Sequence, residues 1–134
     1  MGMARVFWCT SIAVVAFPAC GCTVLGHGER ALPVTPAKYC SRPESAPPCG
    51  PGALSRTTYP FKLFTHCGIL GAYFDGRFWR AQPSLTDGSG NPPRGWGNPY
   101  EIGTIKLVSR DVAEFRSEAG RARFVPGKVK YYCD

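Results

Sequence analysis

Thr65–Trp79 reads Thr-His-Cys-Gly-Ile-Leu-Gly-Ala-Tyr-Phe-Asp-Gly-Arg-Phe-Trp. Two strand-like runs flank the pair Asp75-Gly76. A two-residue type I′ turn needs positive φ at both central residues, and Asp-Gly between apolar runs supplies them most cheaply. The stretch therefore predicts a β-hairpin with a cysteine, Cys67, at its entrance.

Working outward, seven short strands are expected: Thr58–Thr65, Gly68–Phe74, Arg77–Gln82, Gly103–Ser109, Val112–Arg116, Ala122–Val125 and Lys128–Tyr132. Several alternate in type. Phe61, Leu63 and Thr65 oppose Lys62 and Phe64; Ile105 and Leu107 oppose Lys106 and Val108. Period two with β-branched and aromatic residues argues for half-buried antiparallel strands. Turns fall at Ser109–Asp111, Ser117–Gly120 and Pro126-Gly127. A short helix over Ser109–Ala119 is the competing local reading, since Val112 and Phe115 are three apart. The expected fold is all-β, a small antiparallel sandwich or barrel.

The 134 residues fit one domain and hold 7 Cys, 16 Gly and 13 Pro. A cytosolic chain rarely carries so many cysteines without a metal or redox motif. The tightest pair, Cys20-Gly21-Cys22, is not a CxxC. No metal site is expected, and an oxidising compartment is the better reading.

The N-terminus supports export. Met1–Arg5 carries one positive charge, Val6–Phe17 is an uncharged and largely apolar run, and Pro18–Cys22 is rich in small residues. That is the layout of a secretory signal peptide. The run is short of the roughly 20 apolar residues a permanent membrane helix requires. Residues 1–21 are thus expected to be signal peptide. Ala19-Cys20-Gly21-Cys22 resembles a bacterial lipobox with Cys22 as the lipidated residue. Cys20 is the alternative, disfavoured because Pro18 stiffens the chain where a peptidase needs it extended. Secretion after cleavage near Ala19, without lipid, is the other possibility. Cleavage before Cys22 leaves Cys40, Cys49, Cys67 and Cys133, an even set.

Residues 22–54 are expected to form a tether from the lipidated cysteine. Pro33, Pro36, Pro43, Pro47, Pro48 and Pro51 favour extended polyproline II. Four cysteines allow three pairings. Cys40 with Cys49 is preferred, on the ground that a spacer has no core to carry them elsewhere. Cys67 with Cys133 would close a loop of about 66 residues in the remaining domain, 55–134, worth roughly 4 kcal/mol in the chain-entropy model. A unit that small is marginal without such help.

Net charge is +7, and loss of the signal removes only Arg5. A basic exported protein favours anionic surfaces: phospholipid head groups, an anionic cell-wall polymer or an envelope protein. Nucleic acid is not expected, because no recognition helix or RNP-like stretch is present.

Pro83–Tyr100 is the irregular part, and long loops are often functional. Three stretches, Thr65-His66-Cys67-Gly68, Phe74–Trp79 (Phe-Asp-Gly-Arg-Phe-Trp) and Asp87–Trp96 (Asp-Gly-Ser-Gly-Asn-Pro-Pro-Arg-Gly-Trp), make the chain resemble a family of small secreted or lipid-anchored proteins of Gram-positive bacteria. The resemblance spans about Tyr59–Val125. It implies compartment and fold, and it carries no activity.

Among site candidates, Trp79, Trp96, Tyr73 and Tyr100 could line an aromatic platform, although in an all-β domain of this size such rings are more often core. Arg77, Arg80 and Arg94 could surround such a platform and recognise carboxylate or phosphate, the more ordinary reading being solvated surface. His66 and Cys67 cannot form a dyad if both lie on a strand, where neighbours face opposite ways. Asp87, Ser89 and Asn91 alternate like an oxygen-ligand loop, but Pro92 stands where a calcium loop needs glycine. No Ser-His-Asp spacing, phosphate loop or zinc motif exists. The expected function is a non-catalytic binding or interaction domain at the extracytoplasmic face of the membrane, with no catalytic residue and no cofactor; the alternatives are a secreted structural or accessory subunit that docks through Pro83–Tyr100 and, last, an enzyme of unknown class.

Overall fold

The computed structural model describes residues 34–130. Signal peptide, lipidation at Cys22 or Cys20, and Cys133 lie outside the described residues. Six strands form: β1 Tyr59–Phe64, β2 Ile69–Phe74, β3 Arg77–Leu85, β4 Tyr100–Ser109, β5 Val112–Arg116 and β6 Arg121–Pro126. They make one antiparallel sheet in the order β1-β4-β5-β6-β3-β2. No helix is present among the described residues, so Ser109–Ala119 is hairpin, with β4 and β5 joined at Arg110-Asp111.

The alternation read from sequence is the in/out pattern of this sheet. Phe61, Leu63, Ile105, Leu107, Ala113, Phe115, Ala122, Phe124, Ala81 and Trp79 are buried on one face. The two edge strands come back toward each other: Phe61 of β1 and Phe74 of β2 meet edge-on, ring centroids 6.2 Å apart at 80°. The sheet is therefore curled into a half-barrel around its aromatic core, which is the all-β fold expected, built from one sheet rather than two.

Asp75 (φ 53°) and Gly76 (φ 72°) form the β2–β3 turn with both residues at positive φ, as the type I′ reading requires. A Cβ on Gly76 would stand 3.1 Å from Pro51. The close approach arises because the Pro-rich segment does not hang free, which corrects the tether expectation over 34–54; its first part, 22–33, lies outside the described residues. Residues 34–57 pack on the sheet. Lys38 bridges Phe61, and Lys62 N–H donates to the Lys38 carbonyl at 2.9 Å. Asp75 N–H donates to the Pro48 carbonyl at 2.8 Å, and Ala53 N–H donates to Asp75 Oδ1 at 2.8 Å. Arg56 N–H reaches the Leu107 carbonyl at 2.9 Å. Prolines lack donors but keep their carbonyls, so the segment accepts at the Lys38, Pro48 and Cys49 carbonyls and donates from the non-proline amides of Lys38, Ala53, Leu54 and Arg56.

Cys40 and Cys49 are disulfide-bonded to each other, as expected. The reason offered for that pairing does not hold, since both belong to the buried core. Cys67 is disulfide-bonded too; Cys133, expected as its partner, lies outside the described residues. The strand expected at Lys128–Tyr132 is not seen over Gly127–Lys130, which is irregular, and the remainder lies outside the described residues. β3 runs past Gln82 to Leu85. Three extra residues bulge between Arg80, opposite Gly71, and Leu85, opposite Ile69, and that bulge accommodates Pro83, which has no N–H for the ladder.

Candidate functional site

The structure divides the residues expected at an aromatic platform. Trp79 is wholly buried, and its indole N–H donates to the Phe74 carbonyl at 2.8 Å. Tyr73 is also buried. Burial of both agrees with the core reading of these rings and removes them from a platform: Trp79 occupies an inward strand position, and Tyr73 shows only an edge beside Phe78, 4.9 Å away. Trp96 is half-buried, tilted over Phe115 at 6.1 Å. Gly120 makes room for it, since a Cβ there would meet the indole at 3.1 Å. Tyr100 belongs to a separate cluster with Tyr39 (5.1 Å) and Phe64 (5.6 Å), and the Lys62 ammonium sits 4.4 Å over its ring. Burial, and then the neighbouring Tyr100 phenol, push the Tyr39 phenol above its ordinary pKa.

The arginines divide as well. Arg77 lies over the Trp79 ring at 4.3 Å and donates to the Arg110 carbonyl at 2.5 Å. It bolts the β2–β3 turn to the β4–β5 turn. Arg94 is exposed on the irregular loop. His66 is exposed with Nδ1 3.1 Å from Asn98 Oδ1. It precedes Cys67 in a turn, not on a strand: β1 ends at Phe64, and Cys67 has φ 73°. With its sulfur in a disulfide, Cys67 is no nucleophile. Asp87 spends one carboxylate oxygen on the Ser89 (2.8 Å) and Asn91 (3.1 Å) amides. Those bonds hold its carboxyl below the usual range and make it the clasp of a turn. Thr65, the only buried polar side chain among the described residues, donates its hydroxyl to the Gly97 carbonyl at 2.5 Å.

A different group of residues converges on the convex face of the sheet. Directly paired residues point to the same side, with Cβ atoms about 4.5–5.5 Å apart. Lys106 of β4 opposes Glu114 of β5, which opposes Arg123 of β6. In the next row Thr104 opposes Arg116, which opposes Arg121. Arg80 of β3 opposes Val125 on the same face, and Lys62 of β1 opposes Ile102 at the far side. Glu114 is the one carboxylate on these strand positions. It accepts from Arg116 Nε at 2.6 Å and lies 3.9 Å from Lys106 Nζ. The Arg116 bond first, then the charges of Arg116, Lys106 and Arg121, hold its carboxyl below the ordinary range. Arg80, Arg121 and Arg123 are exposed and have no carboxylate at ion-pair distance among the described residues.

Sequence reasoning found Arg80 and missed the rest of this ladder. The signal was there: Glu114-Phe115-Arg116 and Arg121-Ala122-Arg123 place every charge on the side opposite a buried residue. What the pattern lacks is the register that sets Arg116 against Arg121. No family model, curated protein or solved structure matches the chain. Among the described residues no three His, Cys, Asp or Glu side chains are placed to share a metal ion.

Proposed function

We propose that this domain is a non-catalytic binding module of the cell envelope, tethered outside the cytoplasm by a lipid on Cys22, and that its convex face holds an anionic wall polymer. The observation that carries the reading is Arg116 placed directly opposite Arg121, with Arg123 two places along β6, Arg80 further along opposite Val125, and Glu114 as the sole carboxylate on these rows. Like charges directly opposite cost a sheet stability. An array of guanidinium groups on a rigid ladder suits repeated phosphate or carboxylate groups, since each fork takes an oxyanion bidentately. The buried Cys40–Cys49 disulfide supports an oxidising compartment. The lipobox resemblance and the Gram-positive family resemblance support the location. The aromatic-platform reading loses Trp79 and Tyr73 to the core, so the arginines take its place.

The test uses isolated cell wall, intact or stripped of its phosphate-containing polymer. The protein is expected to sediment with intact wall and to stay in solution with stripped wall. A triple variant, Arg116→Ala with Arg121→Ala and Arg123→Ala, is expected to stay in solution with both. Equal sedimentation with stripped wall, or an unaffected triple variant, overturns the reading.

A further inference from the structure

A groove of about 530 Å³ lies beside Arg80 and is lined by none of the residues of the Arg116–Arg121 and Glu114–Arg123 pairs. That volume is within the range of ordinary small-molecule sites. Its floor is Tyr73 and Phe78, opposed across β2 and β3 with ring centroids 4.9 Å apart at 80°. Phe78 is 48% exposed there, although it is a large aromatic on a regular strand. Pro43 and Pro126 face the groove from its two sides, and Gly76 and Gly127 contribute bare backbone. No Asp or Glu lines it, whereas Arg42 and Lys128 do. Arg77 also borders it, but its guanidinium is engaged by Trp79 and Arg110.

Both sides are held in place. The Cys40–Cys49 disulfide closes the loop that carries Arg42 and Pro43. Gly127 N–H donates to the Phe78 carbonyl at 3.1 Å and fixes the other wall. A second cavity of about 110 Å³ shares Ser41, Tyr73 and Phe78 with the groove and extends to Phe61 and Leu63. An apolar floor with an inward extension, and cations without acids at the rim, are complementary to a chain with an acidic head.

We propose that this groove binds a single-chain anionic amphiphile, its alkyl chain on Tyr73 and Phe78 and its carboxylate or phosphate beside Arg42 and Lys128. The proposal goes beyond the wall-polymer reading, and although the groove adjoins Arg80, Arg116, Arg121 and Arg123 do not line it, so either can fail alone.

Calorimetric titration of the full chain with octanoate, decanoate and dodecanoate, below their micellar concentrations, tests it. Affinity is expected to rise about two- to fourfold per methylene. An uncharged alkyl glucoside of equal chain length is expected to bind about tenfold more weakly. Phe78→Ser should abolish the chain-length dependence. Arg42→Glu with Lys128→Glu should abolish the preference for carboxylate and keep the chain-length dependence. Affinity independent of chain length, or binding untouched by both variants, overturns the proposal. So does binding lost in Arg116→Ala/Arg121→Ala and kept in Phe78→Ser, which would place the amphiphile on the arginine rows.

Discussion

Arg116 of β5 stands directly opposite Arg121 of β6 on the convex face. Two guanidinium groups in that relationship repel, and Glu114, bonded to Arg116 at 2.6 Å, relieves only part of it. Arg121→Glu turns the like pair into an opposite one while leaving the Arg116–Glu114 bond. It is expected to stabilise the domain by about 0.2–1 kcal/mol, toward the lower end because both positions are exposed. The midpoint of urea unfolding checks this, and it should rise less at high salt.

Glu114 gives the fold an acid sensitivity of known sign. Its folded-state pKa lies below its unfolded value, chiefly through the Arg116 bond. The stabilisation it contributes is therefore present above the unfolded carboxylate pKa and is lost as pH falls through the depressed folded value. Glu114→Gln should be less stable than the parent at neutral pH, and the two should converge in acid. Urea midpoints measured from neutral pH down through the carboxylate range check this. A gap that widens in acid contradicts it.

Much of the fold was legible along the chain, and the reasons are local. Asp75-Gly76 announces its turn through a backbone requirement that few residue pairs meet. Val112–Arg116 is a strand to the residue, because alternation and its flanking turns agree. The docking of residues 34–57 was not legible. Prolines leave no hydrophobic period, and the contacts that hold the segment are chiefly hydrogen bonds of its own backbone amides and carbonyls and a buried disulfide, which no side-chain pattern records. The candidate site was half legible for a related reason. Alternation says which charges face outward, but pairing across strands decides which charges meet. Trp79 reads more readily as core than as platform in a domain this small, and the arginines beside it kept the platform reading open.

The disulfide segment makes a separate prediction. Cys40 and Cys49 lie 9 positions apart in the chain, and closing a loop that short is worth about 2–3 kcal/mol in the chain-entropy model. Both sulfurs also sit in the core. Replacing both cysteines by Ala is expected to lower the melting temperature. It should also loosen the Asp75 amide, whose acceptor is the Pro48 carbonyl. Amide hydrogen exchange at Asp75 should accelerate more than at Phe115, in the middle of the sheet.

Trp96 is expected to contribute stability and no polymer affinity. It covers Phe115 at one end of the core and leans on Gly120. Trp96→Ala should cost about 1–3 kcal/mol, less than a fully buried tryptophan, because the ring is only half-buried. Gly120→Ala should shift tryptophan emission toward the red by displacing the ring into water. Wall sedimentation by Trp96→Ala should match the parent at temperatures where both are folded.

The most direct measurement of the central claim is the salt dependence of binding to a soluble polyphosphate, for the parent and for the Arg116→Ala/Arg121→Ala/Arg123→Ala variant. Each phosphate neutralised by a cation releases condensed counterions and contributes roughly 0.7–0.9 to the slope of log K against log salt. The arginine ladder predicts a steep slope for the parent and one about two to three smaller for the variant. A parent affinity indifferent to salt, or an equal slope in the variant, would contradict it.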